Sequence, residues 1–262
     1  MPKQGIQIFT MGKSERKPII FIHGFPFEHH MWDKQINELK SLYYCVAYDI
    51  RGMGVSPAGD GQFTMESFVD DLEFIIDDFK LEKPVLCGLS MGGYIALRGA
   101  ERMEYKLGGL ILCDTKSEAD TDESKLKRAE GIKKINQEGV QKFITGFVPN
   151  CFAESFISSS AREYNEILSK ALNSDSIGVK GCLLAMQGRT DVTPYLSKIK
   201  IPSLVVCGEE DKFTPPFAMG KMTEKIKNSK FITIPGAGHM SPVENPEFFN
   251  KAIMVFLKEN FN

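Results

Sequence analysis

The sequence has no run of apolar residues approaching the roughly 20 that a membrane-crossing helix needs. Positive charge is not in excess: 32 Lys and Arg stand against 34 Asp and Glu, a formal net charge of −2 over 262 residues. That balance excludes the basic face with which a protein holds nucleic acid. The opening residues, Met1-Pro2-Lys3-Gln4-Gly5, lack the apolar core of a secretory signal. No C-x-x-C pair occurs among six scattered cysteines (Cys45, Cys87, Cys113, Cys151, Cys182 and Cys207), so neither zinc nor dithiol redox chemistry is indicated. Four of the six lie inside apolar runs, where a free thiol behaves as a small hydrophobe. The expectation is a soluble, cytoplasmic protein with reduced thiols that partners neither nucleic acid nor membrane. Low-complexity tracts and internal repeats are absent too, and nothing in the patterning sets an oligomeric state.

What is present is an ordinary globular composition, 42% hydrophobic and 25% charged, in a chain long enough for one or two domains. Ile19-Ile20-Phe21-Ile22, Cys45-Val46-Ala47-Tyr48, Val85-Leu86-Cys87 and Leu110-Ile111-Leu112-Cys113 are continuous apolar runs. Continuous runs mark strands covered on both faces, hence a parallel sheet. Between them Phe68, Leu72, Ile75, Ile76 and Phe79 recur at helical spacing and predict a crossover helix over 65–80. Further strands are expected at Ser203–Cys207 and Phe231–Ile234, then a helix with Asn245 as N-cap and Pro246 at its first position. The alternation specifies an α/β, doubly wound sheet.

One gap breaks it. From Cys113 to Ser203 no strand-like run occurs, but three segments carry a helical apolar stripe: Val140, Phe143, Ile144, Phe147; Tyr164, Ile167, Leu168, Ala171, Leu172; and Val179, Cys182, Leu183, Met186. Residues 116–198 are expected to form a helical lid on a core made of 1–115 and 199–262. An insertion leaving the carboxyl edge of a parallel sheet lies where such sheets bind ligands.

Gly88-Leu89-Ser90-Met91-Gly92 has the pattern G-x-S-x-G and falls between the strand ending at Cys87 and the helix starting near Gly93. A sharp strand-to-helix turn presents the serine hydroxyl at the sheet edge, beside a helix N-terminus that favours developing negative charge. Serine needs a base, and the chain has four histidines. His29 and His30 are expected at the surface, and His23 sits at a strand end before Gly24. His239, in Gly236-Ala237-Gly238-His239-Met240 beyond the last strand, reaches the same edge as Ser90. An acid is needed to orient the imidazole. Asp211, in Gly208-Glu209-Glu210-Asp211, is the expected one, with Asp114 after Cys113 as the alternative. The order Ser90, Asp211, His239 along the chain agrees with one serine-triad fold and not the others.

Together these motifs resemble the α/β-hydrolase superfamily over nearly the whole chain. The resemblance implies a mostly parallel doubly wound sheet with a helical lid inserted after the sixth strand. His23-Gly24-Phe25 is similar to the family's oxyanion loop, which implies an oxyanion hole from the Phe25 and Met91 backbone amides. Asp49-Ile50-Arg51-Gly52-Met53-Gly54-Val55-Ser56 resembles the family's D-x-R-G-x-G-x-S turn and is read as structural. A serine at position 90 disfavours the relatives that use an aspartate nucleophile. The stretch from Leu184 to Leu196 is similar to small carboxylesterases and 3-oxoadipate enol-lactonases. Within it, Arg189 either clamps a substrate carboxylate or pairs with Asp191. Phe25, Phe27, Trp32, Phe147, Phe152 and Met186 either line an acyl pocket or pack core and lid.

The expected activity is cleavage of a small carboxylic ester or lactone through an acyl-enzyme, with no metal or organic cofactor. Two alternatives keep the fold: hydrolysis of a C–C bond in a ring-cleavage product, where Arg189 would matter, and a hydrolase-fold protein that binds without turnover.

Overall fold

The computed structural model describes residues 5–261; residues 1–4, at the opening segment discussed above, and 262 lie outside it. Seven strands form one sheet: β1 (Ile8–Met11), β2 (Pro18–Ile22), β3 (Tyr44–Tyr48), β4 (Val85–Leu89), β5 (Gly109–Cys113), β6 (Ser203–Gly208) and β7 (Ser229–Ile234). Their order is β1-β3-β2-β4-β5-β6-β7, with β1 antiparallel to β3 and every other pair parallel. β2, β4, β5 and β6 are buried along their whole length, as their continuous apolar runs require. From β2 the chain adds β3 on one side and β4 on the other, so the carboxyl ends of β2 and β4 flank the point where the winding reverses. In open α/β sheets that crevice is where ligands bind.

The helices α1 (Asp33–Leu39), α2 (Met65–Asp78) and α3 (Met91–Met103) belong to the first half of the sheet. α2 ends two residues short of the predicted 80, and Thr64 and Ser67 cap its start reciprocally. Between β5 and β6 come α4 (Asp122–Glu138), α5 (Val140–Phe147), α6 (Glu154–Ser159), α7 (Ala161–Leu172) and α8 (Ser176–Gln187). The three predicted stripes fall on α5, α7 and α8. Among the described residues this insertion follows the fifth strand rather than the sixth, because only β1 precedes Pro18–Ile22. The chain closes with α9 (Pro216–Thr223), α10 (Ser241–Glu244) and α11 (Pro246–Phe261), the last preceded by Asn245, whose side chain accepts from the Phe248 amide.

His29 departs from the expected surface position. It is buried, stacked on Phe9 with ring centroids 3.6 Å apart, and its Nδ1 lies 2.8 Å from Asp49 Oδ1 and 3.1 Å from Glu28 Oε2. The same Asp49 carboxylate accepts the His29 and Val55 amides, and the Ser56 hydroxyl donates to the Asp49 carbonyl. A Cβ on Gly54, at φ 53°, would stand 2.2 Å from Asp49 Oδ2, so the turn closes on its own carboxylate only with glycine there. His30 is exposed, as expected.

Burial alone would depress the His29 imidazole, but Asp49 and Glu28 outweigh it and raise the ring from 6.5 to about 9. Stability from a raised group is complete below the unfolded value and is lost as pH rises through the folded one. His29→Gln should therefore be less stable than the native chain in urea unfolding near neutral pH. The gap should narrow as pH rises through about 9.

Candidate active site

Ser90 occupies the turn between β4 and α3 with φ 53° and ψ −112°, a backbone conformation that costs a non-glycine residue free energy. Its amide donates to the Cys113 carbonyl at 2.9 Å, and the Thr115 hydroxyl donates to the Ser90 carbonyl at 2.8 Å. The turn is too tight for side chains on its flanks. A Cβ on Gly92 would stand 2.1 Å from the Ile22 carbonyl oxygen, and one on Gly88 2.3 Å from the Gly92 carbonyl oxygen.

Two more loops reach the hydroxyl. His239 Nε2 lies 2.8 Å from Ser90 Oγ, and His239 Nδ1 lies 2.8 Å from Asp211 Oδ2. In the neutral ring Nδ1–H donates to the carboxylate, which leaves Nε2 as acceptor for the serine hydroxyl. Asp211 Oδ1 accepts the Phe213 and Thr214 amides at 2.8 and 3.1 Å, and the Thr214 hydroxyl donates to Oδ2 at 2.5 Å. Burial would raise this carboxyl, but His239 and the Thr214 donors hold it at about 2. The loops after β6 and β7 also interlock, with the Glu210 amide donating to the Ala237 carbonyl.

Asp114, the alternative acid, is placed differently. It accepts the Gly208 amide at 2.7 Å and the Ser241 hydroxyl, and makes no hydrogen bond to a histidine among the described residues. Burial and then the neighbouring Asp211 push its carboxyl well above the usual carboxylate range.

The loop after β2 passes beside the serine: a Cβ on Gly24 would stand 3.5 Å from Ser90 Cβ. Neither the Phe25 nor the Met91 amide has a protein acceptor among the described residues. His23 is fully buried. Ile50's amide donates to its Nε2 and its Nδ1 donates to the Gly24 carbonyl, so the ring supports this loop.

A cavity of about 690 Å³ opens over Ser90 and His239. Phe25, Phe143, Phe147 and Phe213 wall one side, with Phe213 set edge-on to His239 at 5.1 Å and near-parallel to Phe147 at 5.8 Å. Met186 lines it too. Trp32 does not: it is wholly buried against Phe21 and Phe249, because its helical turn packs against β2 and β3. Phe27 and Phe152 also pack elsewhere, against each other. Arg189 lines no part of this cavity and does not pair with Asp191. Its guanidinium donates to Asp120 Oδ1 at 2.5 Å and to the Met186 and Glu118 carbonyls, and lies over the Tyr94 ring. Asp191 instead accepts the Thr193 amide.

Sequence reading passed over Thr214 and Glu244. Thr214 stands three residues after an aspartate, the spacing of a side-chain-capped turn. Glu244, half-buried, accepts the Ala153 amide of the insertion at 2.8 Å and the Met240 amide beside His239 at 3.0 Å.

A family model described as alpha/beta hydrolase fold matches residues 17–246, and the chain belongs to that family. It is 34% identical to a thermophilic esterase from Thermogutta terrifontis, solved with malate bound, at a TM-score of 0.94, covering 98% of this chain and 94% of the other. It is 25% identical to 3-oxoadipate enol-lactonase 2 of Acinetobacter baylyi over 95% of this chain and 91% of that relative. A non-heme chloroperoxidase of Kitasatospora aureofaciens is 29% identical, covering 98% of each chain.

Thr214→Val keeps the side-chain volume and removes one donor from a buried carboxylate. It should cost about 2 kcal/mol in denaturant unfolding near neutral pH. The native Asp211 carboxyl is depressed from 3.8 to about 2. Its stabilisation is complete above about pH 4 and lost as pH falls towards 2, so the variant's deficit should narrow on acidification.

Proposed function

We propose that this member of the α/β-hydrolase family is a serine hydrolase that cleaves a small carboxylic ester or lactone through an acyl-enzyme. The observation that carries the proposal is His239 Nε2 at 2.8 Å from Ser90 Oγ, with Asp211 on the ring's far nitrogen. Ser90 Oγ attacks the carbonyl carbon as His239 Nε2 takes its proton. Asp211, ionised and doubly held by Thr214, fixes the ring and stabilises its charged form. The carbonyl oxygen, now negative, accepts the Phe25 and Met91 amides, an interaction worth a few kcal/mol to a transition state. The intermediate collapses with His239 returning the proton to the departing alcohol oxygen. Water, deprotonated by the same nitrogen, then releases the acid and restores Ser90. These steps need no metal or organic cofactor.

Residues 116–198 act as the lid of a core made of 1–115 and 199–262, since the cavity takes Phe143 and Phe147 from the insertion and Phe25 and Phe213 from the core. The relatives named as an esterase and an enol-lactonase support the choice of an ester or lactone. The C–C cleaving alternative leaned on Arg189, whose guanidinium is spent on Asp120 and two carbonyls. Six buried, unpaired cysteines fit a reducing, cytoplasmic compartment, and no described helix is long and apolar enough to cross a membrane.

A fluorophosphonate probe should label the native protein and not Ser90→Ala. The same variant should lose at least about a thousandfold in kcat on short 4-nitrophenyl esters while keeping its unfolding midpoint. Label retained by Ser90→Ala would overturn the assignment, as would native protein that neither labels nor hydrolyses any ester or lactone.

A further inference from the structure

The chain as a whole is slightly acidic, yet the cavity above Ser90 is not. Lys116, Lys127, Arg128, Lys134 and Lys212 all line it, against the carboxylates of Asp120 and Glu130. Two of the cations are matched at the rim, Lys127 by Glu123 and Lys212 by Glu154. The inner wall is different. Asp120, with its side chain fully buried, is shared by three cations: Arg128 Nε, Arg189 Nη1 at 2.5 Å and Lys116 Nζ at 3.9 Å. One carboxylate cannot neutralise three positive groups, and the nearby Glu118 is exposed. Burial, then the proximity of Arg189, drives the Lys116 ammonium below its ordinary value, as expected for a cation short of counter-charge. Lys134 also lines the cavity and makes no ion pair among the described residues. Lys116 directly follows Thr115, whose hydroxyl holds the Ser90 carbonyl, so the surplus charge begins one residue from the support of the serine.

From this arrangement we infer that the cavity's cations Lys116, Arg128 and Lys134 make up an anion subsite. The ester or lactone hydrolysed at Ser90 carries a carboxylate away from the carbonyl that reacts. The inference rests on the proposed hydrolase activity and adds the substrate class. A carboxylate there completes the charge balance that Asp120 leaves open. In a partly enclosed cavity, charge–charge attraction and charge-assisted hydrogen bonds are stronger than at an open surface. The aromatic wall of Phe25, Phe143, Phe147 and Phe213 takes the apolar remainder.

The test compares kcat/KM for the mono-4-nitrophenyl ester of glutaric acid with that for the neutral 4-nitrophenyl ester of equal chain length. The native enzyme should favour the carboxylated ester by about tenfold, chiefly through KM, and Lys116→Gln should abolish most of that preference. Lys134→Gln, at a site with no ion pair to lose, should reduce it in the same direction and guards against misfolding of the first variant. Equal or better use of the neutral ester by the native enzyme overturns the subsite, as does a preference that survives both substitutions. If neither ester is turned over, the proposed activity fails by itself. The subsite is then read by calorimetric titration of glutarate into the native protein and Lys116→Gln. Binding weakened about tenfold in the variant sustains it, and equal or undetectable binding in both overturns it.

Discussion

The strained backbone of Ser90 is the constraint on which the rest of the site depends. At φ 53° and ψ −112° the residue is paid for by its neighbours: the Cys113 carbonyl, the Thr115 hydroxyl and two glycines whose missing Cβ atoms let β2, β4 and α3 close up. The two hydrogen-bonding supports come from the end of β5 and just beyond it, and Gly92 closes against Ile22 of β2. The conformation is thus a property of the sheet centre and not of the turn alone. This is why the hydroxyl stands at the carboxyl edge where the winding reverses, within reach of loops that arrive from β2, β6 and β7.

Two buried carboxylates at that edge show how environment divides one chemical group into two states. Asp211 faces an imidazole and three donors from the 213–214 turn and stays ionised. Asp114, deeper and facing Asp211, is held towards its neutral form, and braces the Gly208 and Ser241 backbone region through hydrogen bonds. Such a separation is the usual way that neighbouring acids take different tasks. The cavity over Ser90 likewise combines aromatic rings with several cations.

Much of this was legible in the amino-acid order because burial on both faces leaves continuous apolar runs. β2, β3, β4, β5 and β6 could be read that way, whereas β1, Ile8–Met11, is short, half-exposed and carries no such run. α5, α7 and α8 show an apolar stripe, but α4 buries only Gly131 and Ile135 and is otherwise polar, so its periodicity is too faint to read. Ser90, Asp211 and His239 were legible because each sits just beyond a strand of a parallel sheet. What sequence order cannot express is which side chain turns inward. Trp32 went to the core, His29 to Asp49, and Arg189 to Asp120, a partner 69 positions away rather than two.

Glu244 makes the insertion something other than a detachable module. One carboxylate joins the Ala153 amide on one side to the Met240 amide on the other, so the seat of the helices and the placement of the imidazole share a fastening. A chimera that exchanges these helices must bring an equivalent N–H to the same spot or rebuild the fastening. Recombination of this chain is accordingly constrained at the joint between insertion and imidazole loop.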